Sequence, residues 1–240
     1  LKEAQEIIQR YNHALDLIKE VSSTSTGELK IGFLGTASQS FLSDFVMGFP
    51  ASHPQIRLSM TSDALDILVK QLNDGLTDLA FVTHVDKNYL IGLESKTIMK
   101  SPLLAVMQPT HALANRDSLS IKDLSGFPMI NFSPQANPIT SDFNKQIFKK
   151  AGAQLNIVRE IPNIETAAFC ASINEGVFIM PEYLLSSIGS LRTVPLTDSF
   201  AYVTLNLIWK KKNPNISIPV FVDSFSTYIQ NRNPNLAPAD

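Results

Sequence analysis

Hydroxyl side chains follow several apolar segments of this sequence, at positions where they could hold a small molecule. Thr36 and Ser38 lie in "LGTASQS", Thr83 in "FVTH" and Ser133 in "NFSP". Hydroxyl groups and backbone N–H groups donate hydrogen bonds to carboxylate or sulfate oxygens, and the start of a helix favours an anion. These residues therefore predict a site that holds an acidic group without a buried arginine.

The four histidines do not form a pattern typical of catalysis or metal binding. His13, His53, His84 and His111 are scattered along the chain. The sequence contains no H-E-x-x-H, C-x-x-C, G-x-S-x-G or P-loop motif, and a zinc site would need two or three clustered ligands. We therefore expect no enzyme, no metal and no other cofactor. Only His84 lies near the expected site, either as a surface residue or as a pH-sensitive contact.

Alternating strands and helices must position these hydroxyl groups. In chain order, the first series is a strand at 28–34, a helix at 40–53 broken at Pro50, a strand at 56–62, a helix at 64–75 and the strand "DLAFVT". This order predicts a parallel sheet with ligands at the carboxyl ends of the strands. Thr83 and His84 should therefore stand at a cleft, whereas Asp78 should be a turn or capping residue.

A second series with the same α/β design follows. It consists of two strands in "LESKTIMKSPLLAVMQPTHAL", a strand in "PMINFSP", a helix that ends at Gly152, the strand "QLNIVREIP", a helix that starts at Asn163 and ends at Gly176, the strand "VFIMP", the strand "AYVTLNLIWKK" and the terminal helix "SIPVFVDSFSTYIQNR". Asn163 is the expected cap of its helix, with Glu165 in the first turn.

The N-terminal segment carries one apolar stripe at helical spacing. The stripe includes Leu1, Ala4, Ile8, Tyr11, Leu15 and Ile18, and charged residues fill the opposite face. Such a helix either packs against its own domain or serves as a dimerising linker helix. "SSTSTGE", at 22–28, follows it as a flexible joint.

Charge and composition narrow the possible functions. The 20 Lys and Arg residues nearly balance the 22 Asp and Glu residues, so this chain has no basic footprint for nucleic acid. No apolar run approaches the roughly 20 residues that span a bilayer, and we expect a soluble, cytoplasmic protein. The single cysteine, Cys170 in "AAFCASI", is expected to be a core thiol rather than a redox sensor.

Five segments occur in an order that indicates a known family. They are "GELKIGF", "FLSDFVMGFPASHPQIRLSM", "LVKQLNDGLTDLAFV", "HALANRDSLSIKDLSGFPMINF" and "NEGVFIMPEYL". Together they resemble the effector-binding domain of LysR-type bacterial transcriptional regulators, over residues 27–230. In the last segment, Asn174 or Glu175 replaces the first glycine of the family's G-x-G-x-x-x-x-P pattern.

The resemblance implies an α/β fold like that of type II periplasmic binding proteins, with two Rossmann-like lobes joined by two crossing strands and preceded by a linker helix. The implied bounds are 1–24 for the linker helix, 25–105 with 208–240 for lobe I, and 106–207 for lobe II. The implied hinge comprises Leu104, Ala105, Val106, Met107, Leu207, Ile208 and Trp209. The resemblance also implies a homodimer or homotetramer that contacts DNA through a winged helix-turn-helix domain outside this chain.

The same resemblance implies a small-molecule effector between the lobes, at the loops that contain Thr36, Thr83 and Ser133. The expected effector-binding residues are Gly35, Thr36, Ala37, Ser38, Thr61, Asp63, Thr83, His84, Phe132, Ser133, Asn163, Glu165 and Met180. Several have structural alternatives, because Asp63 and Asn163 can cap helices and Phe132 and Met180 can belong to the core.

The low fixed positive charge of these segments favours a mixed apolar and polar ligand, such as a small carboxylate or an aromatic acid. The alternative function is a solute-binding protein of the same fold that feeds a transporter.

Overall fold

The computed structural model describes residues 27–34, 39–63, 65–83 and 90–232. The strands are β1 Gly27–Phe33, β2 Ile56–Ser62, β3 Leu79–Thr83, β4 Leu93–Met107, β5 Pro128–Phe132, β6 Asn156–Ile161, β7 Phe178–Pro181, β8 Arg192–Pro195 and β9 Tyr202–Lys210. The α-helices are α1 Gln39–Ser52, α2 Leu65–Asp74, α3 Pro138–Ala151, α4 Ile164–Ser172 and α5 Ser217–Arg232. Two short 3-10 helices span Ile121–Leu124 and Glu182–Ser187.

The chain divides into two compact units. The first unit contains the described residues up to Lys100 and those from Thr204 on, and the second runs from Ser101 to Val203. The chain passes from one unit to the other within β4 and again within β9. The lobe bounds proposed above stay a prediction.

The first unit is built on a sheet with the strand order β2-β1-β3-β9-β4. β1 pairs in parallel with β2 and with β3, and β3 pairs antiparallel with β9. The β-α-β-α-β order of the sequence thus forms the predicted parallel sheet, because each helix returns the chain to the same end of the sheet.

Aromatic side chains fill the space between this sheet and helices α1 and α5. The ring of Phe45 in α1 lies 5.3 Å from that of Phe221 and 4.9 Å from that of Phe225, both in α5. The ring of Phe225 also lies 4.8 Å from that of Phe81 in β3. These ring contacts give α1, β3 and α5 one shared core, since aromatic side chains contribute the largest buried areas.

Helix α2 packs closely on the opposite face of the sheet. A Cβ atom on Gly32 of β1 would lie 2.5 Å from Cδ2 of Leu68 in α2, so a larger residue here would displace the Leu68 side chain. Because alternate residues of a strand face opposite sides, Ala80 beside Gly32 faces α2 and Phe81 faces α1 and α5.

Asp78 anchors the loop that enters β3. Its backbone N–H donates to Lys30 O at 2.8 Å, and its carboxylate accepts from Lys30 N–H at 2.9 Å. The same carboxylate accepts from the side-chain amides of Asn215 at 3.1 Å and Asn213 at 3.3 Å. Asp78 therefore has the turn-forming role expected from the sequence.

The second unit contains two small groups of strands and two helices. The carboxyl half of β4 pairs antiparallel with β7 and with β8, and β5 pairs in parallel with β6. Met129 of β5 packs in one apolar cluster with Phe148 of α3. Ile130 packs in another cluster with Ile164 and Ala167 of α4. Thus α3 and α4 cover opposite faces of β5.

One helix and one strand continue past a proline. The helix expected to break at Pro50 continues to Ser52, because burial of the helix residues before Pro50 outweighs one lost hydrogen bond. The two strands expected in "LESKTIMKSPLLAVMQPTHAL" are the single strand β4 of 15 residues, which contains Pro102. Leu103 N–H still donates to Ala201 O at 3.0 Å, so the missing N–H of Pro102 does not interrupt the strand.

Helix α4 ends before the glycine that was expected to stop it. The helix ends at Ser172, and Asn174 adopts the left-handed conformation at φ 60°. Asparagine tolerates this conformation better than most residues, so it serves where glycine was predicted. The end expected at Gly152 for the preceding helix is confirmed, with Gly152 as a left-handed cap at φ 64°.

No helix in the described ranges is long and apolar enough to cross a membrane.

Candidate functional site

In the first unit, the carboxyl ends of three parallel strands lie at one edge of the sheet. Phe33 of β1 is opposite Ser62 of β2 in one ladder and Phe81 of β3 in the other. Thr83 ends β3 and is partly exposed. Its hydroxyl has no hydrogen-bond partner among the described residues, so it can donate to a ligand. Thr61, at the end of β2, is exposed.

Asp63 serves the structure of the first unit. Its backbone N–H donates to Phe33 O at 3.2 Å, which continues the β1–β2 ladder by one residue. Its carboxylate accepts from Gln71 Nε2 at 3.0 Å, and Gln71 Oε1 accepts from Thr77 Oγ1 at 3.0 Å. This chain of bonds fixes α2 against the strand ends, and contact of Asp63 with an effector stays a prediction.

Several expected residues lie outside the part of the chain that the structure describes. They are Gly35, Thr36, Ala37, Ser38 and His84 of the expected site, and Leu1, Ala4, Ile8, Tyr11, Leu15 and Ile18 of the expected dimerisation helix. Their roles stay predictions.

In the second unit, Ser133 begins the loop between β5 and α3. Its backbone N–H donates to Ile161 O at 2.9 Å, which holds the loop to the end of β6. Its Oγ accepts from Ala136 N–H at 3.1 Å, and its carbonyl accepts from Asn137 N–H at 2.9 Å. Because the hydroxyl oxygen is an acceptor in this turn, its proton remains for donation to another group. Ser133 is partly exposed, so that group can be a ligand.

Asn163 and Glu165 lie at the start of α4. Asn163 Oδ1 accepts from Thr166 N–H at 2.9 Å and from the Thr166 hydroxyl at 2.7 Å. Asn163 is thus the helix cap that the sequence predicted. Glu165 is exposed in the first turn, where a negative charge favours the helix dipole. Neither arrangement requires a ligand, and effector contact stays a prediction for both.

The two apolar residues of the expected site differ in exposure. Met180 is 2% exposed and packs in the core with Val106, Ile130 and Ile164. It therefore has the core role that the sequence left open. Phe132 is only partly buried against the same cluster, so it is the one of the pair that can also contact a ligand.

The expected hinge residues lie in paired strands. Leu104, Ala105 and Val106 of β4 pair with β7 and β8, and Met107 pairs with β8. Leu207, Ile208 and Trp209 of β9 pair with β3. In addition, Trp209 Nε1 donates to Glu94 Oε2 at 3.1 Å. The hinge role stays a prediction.

Two buried polar networks were not found from the sequence. In the second unit, Asn131 of β5 bonds to Ser141 and Asn144 of α3. In the first unit, the Thr97 hydroxyl donates to Asn206 Oδ1 at 2.8 Å. An amide inside the apolar strands "PMINF" and "LNLIW" is the signal that could have indicated them.

Cys170 lies in the core of the second unit. Burial raises the pKa of its thiol, and a hydrogen bond to the Glu175 carboxylate raises it further. Glu175 is itself paired with Arg159, which lowers the pKa of Glu175. A thiol with a raised pKa forms little of the reactive thiolate, so the structure supports the core thiol expected from the sequence. No metal-binding group of three or more His, Cys, Asp or Glu residues is present within the described ranges.

His111 makes the stability of the second unit depend on pH. Its Nδ1 accepts from Leu113 N–H at 3.2 Å, and burial lowers its pKa from 6.5. The folded state therefore binds this proton less tightly than the unfolded chain. The contribution is fully present above pH 6.5 and is lost as pH falls below that value toward the lowered folded pKa.

We expect wild type to lose unfolding free energy between pH 7.5 and pH 5.5 that a His111→Leu variant does not lose, because only wild type carries the imidazole whose pKa is lowered by burial. Urea denaturation at both pH values measures the difference. Parallel pH profiles of the two proteins would exclude His111 as the source.

Comparison with known proteins identifies the fold of this chain. Residues 22–228 match the LysR substrate binding domain family. The chain is 24% identical over 221 residues to the HTH-type transcriptional regulator AlsR of Bacillus subtilis (strain 168). This match covers 90% of this chain and 71% of AlsR.

Two solved structures resemble this chain, with sequence identities of 18% and 21%. The structure of the BenM effector binding domain with its effector benzoate matches this chain with a TM-score of 0.75. The match covers 88% of this chain and 94% of the BenM domain. The structure of the effector binding domain of QuiR in complex with shikimate matches this chain with a TM-score of 0.71. The match covers 86% of this chain and 99% of the QuiR domain. These likenesses confirm the fold class predicted from the sequence.

Proposed function

Because the chain belongs to the LysR substrate-binding domain family, we propose that it is the ligand-sensing domain of a bacterial transcription regulator and that its effector is a small carboxylate or aromatic acid. The regulator acts in the cytoplasm and is not an enzyme. It assembles as a homodimer or homotetramer and contacts DNA through a helix-turn-helix domain outside these 240 residues.

The observation that carries the carboxylate assignment is the geometry at Ser133. Its hydroxyl oxygen already accepts from Ala136 N–H, so its proton is left to donate. Thr83, in the first unit, is a separate candidate donor at a strand end. Hydroxyl donors bind carboxylate oxygens with short, charge-assisted hydrogen bonds. The named ligands of the similar domains, benzoate for BenM and shikimate for QuiR, are both carboxylates.

Phe132 supports an apolar part of the same ligand. It precedes Ser133 at the end of β5 and is only partly buried. A partly exposed apolar side chain one residue from a hydroxyl donor suits a molecule with a carboxylate on an apolar or aromatic body. A ligand of this kind can regulate transcription only if it binds one conformation of the regulator more tightly than another.

The relatives of the chain bear on the alternative function. AlsR is a transcriptional regulator, and no feature of the described residues favours a solute-binding protein for a transporter. The regulator remains the proposed function.

A thermal-shift experiment with matched compounds tests the proposal. Benzoate, shikimate and other small carboxylates should be compared with their primary amides on the wild-type domain. A carboxylate effector present at about 100 times its dissociation constant should raise the melting temperature by roughly 5–10 °C. The amide should raise it much less, because it lacks the charge that strengthens a hydrogen bond from the Ser133 hydroxyl.

A Ser133→Ala variant tests whether the Ser133 hydroxyl binds the carboxylate. It should weaken binding of the active carboxylate by about tenfold or more. Ser118→Ala is the matched control, because Ser118 is an exposed serine of the same unit and should bind like wild type. Equal affinity of the Ser133→Ala variant and wild type for the carboxylate would refute the role of Ser133.

A further inference from the structure

Three polar side chains form a buried network between β5 and α3. Asn131 is 1% exposed, Ser141 0% and Asn144 5%. Asn144 Nδ2 donates to Asn131 Oδ1 at 2.8 Å, and Asn131 Nδ2 donates to Ser141 Oγ at 3.4 Å. The network therefore joins one strand residue to two positions on one face of the helix.

The surroundings of this network are apolar. Asn131 and Met129 lie on the same face of β5, since alternate residues share a face, and Met129 packs in a cluster with Phe143 and Ile147 of α3. A buried amide that loses its partner is costly, whereas apolar side chains of similar size at both positions would be nearly as stable. Stability alone thus gives no reason for amides at this point of the core.

The location of the network gives a different reason. Asn131 lies two residues before Ser133, and Ser141 lies in the first turn of α3 after its cap Asn137. The network therefore joins the two ends of the loop 133–137. Within this loop, Ser133 Oγ and O accept from Ala136 N–H and Asn137 N–H, and these bonds leave the Ser133 proton free for a ligand.

We propose that the buried network Asn131–Ser141–Asn144 is a positioning device, which fixes the ends of the 133–137 loop and thereby presents the Ser133 hydroxyl in a preformed binding geometry. Hydrogen bonds have directions, so the amide of Asn131 fixes the register of β5 against α3, which apolar contacts alone do not do. The effect on effector affinity rests on the proposed function, whereas the order of the loop does not.

The first test is amide hydrogen exchange by NMR on the ligand-free domain. The double variant Asn131→Leu/Asn144→Leu replaces both amides with apolar groups of similar size. We expect its melting temperature to stay near that of wild type, while the Ala136 and Asn137 amides lose protection by at least about tenfold. The amide of Phe148, farther along α3, should keep its protection, because a positioning role affects the loop and not the whole unit.

The control and a second variant complete this test. Asn206→Leu removes a buried amide of the first unit that bonds to Thr97, and it should leave the Ala136 and Asn137 amides unchanged. If the double variant does not fold, Ser141→Ala removes only the acceptor of the 3.4 Å bond and should lower protection of the same two amides by about threefold. Wild-type protection of these amides in a folded variant would overturn the proposal.

The second test measures binding of benzoate and shikimate by calorimetry. The folded double variant should bind an active carboxylate about tenfold more weakly than wild type, since a loop that must be ordered on binding lowers affinity. Equal affinity would contradict the positioning of Ser133 for binding. If wild type binds no carboxylate, the proposed function fails, and the exchange experiment alone then decides whether the network orders the loop.

Discussion

Replacing Gly176 with alanine should lower the free energy of unfolding by about 3 kcal/mol. A Cβ atom at this position would lie 2.7 Å from the Pro128 carbonyl oxygen and 3.1 Å from its carbonyl carbon. Both atoms belong to the backbone, so no side-chain rotation can relieve the contact. Val177 N–H donates to Pro128 O at 2.9 Å, and Ile130 N–H donates to Val177 O at 2.8 Å. Separating these two backbone segments to admit the methyl group would stretch both hydrogen bonds.

Urea denaturation with Gly48→Ala as the control measures this effect. Gly48 lies inside α1, and a Cβ atom there would meet nothing within 4 Å. The control should therefore gain about 0.5–1 kcal/mol from the higher helix propensity of alanine. The two substitutions thus have opposite expected signs. An unchanged denaturation midpoint for Gly176→Ala would show that the backbones of the 128 and 176 segments can separate without cost.

Replacing Asp78 with alanine should lower the free energy of unfolding by about 2–4 kcal/mol. The carboxylate accepts from Lys30 N–H and from the side-chain amides of Asn213 and Asn215. Removing it leaves these three donors without their acceptor. It also loosens β1 and the segment before α5 from the loop before β3. Asp78→Asn keeps one side-chain acceptor and should have an intermediate effect. Urea denaturation of both variants checks the order.

Asp223→Ala is the comparison for Asp78. Asp223 pairs with Lys96 at 3.3 Å on the surface, and its side chain is 79% exposed. Exposed ion pairs contribute about 0.2–1 kcal/mol, so this substitution should have a much smaller effect. If Asp78→Ala and Asp223→Ala destabilised the domain equally, Asp78 would not be an anchor.

Much of the fold follows from local sequence signals. The helix that ends at Gly152 and the short buried strand that ends at Thr83 were predicted because a glycine stop and an apolar run act over a few residues. The break expected at Pro50 was wrong, and so was the division of the 93–113 segment into two strands. A proline removes only one hydrogen bond, and burial of the neighbouring residues decides whether the helix or strand continues. That burial depends on distant segments, which local patterns do not show.

The glycine of "NEGVFIM" shows the same limit. The sequence indicated a helix stop at Gly176, whereas Asn174 takes the left-handed conformation and Gly176 is needed for the close approach of Pro128. Asn174 and Gly176 both follow the end of α4. Their roles differ because only Gly176 lies against Pro128 of β5, and the sequence does not show that contact.

The candidate site was predictable in part for similar reasons. The positions of Ser133 and Thr83 at strand ends were predicted because short apolar runs are local signals, and contact of either residue with a ligand stays a prediction. The availability of the Ser133 proton could not be predicted, since it depends on the bond from Ala136 N–H. The Asn131–Ser141–Asn144 network required knowledge of which face of α3 meets β5.

The most direct test of the proposed function is a calorimetric titration of the wild-type domain with benzoate and with benzamide, followed by the same pair for shikimate and each other carboxylate that raises the melting temperature. We predict that at least one carboxylate binds and that its amide binds at least about tenfold more weakly. Equal binding of acid and amide, or no binding by any carboxylate, would contradict it.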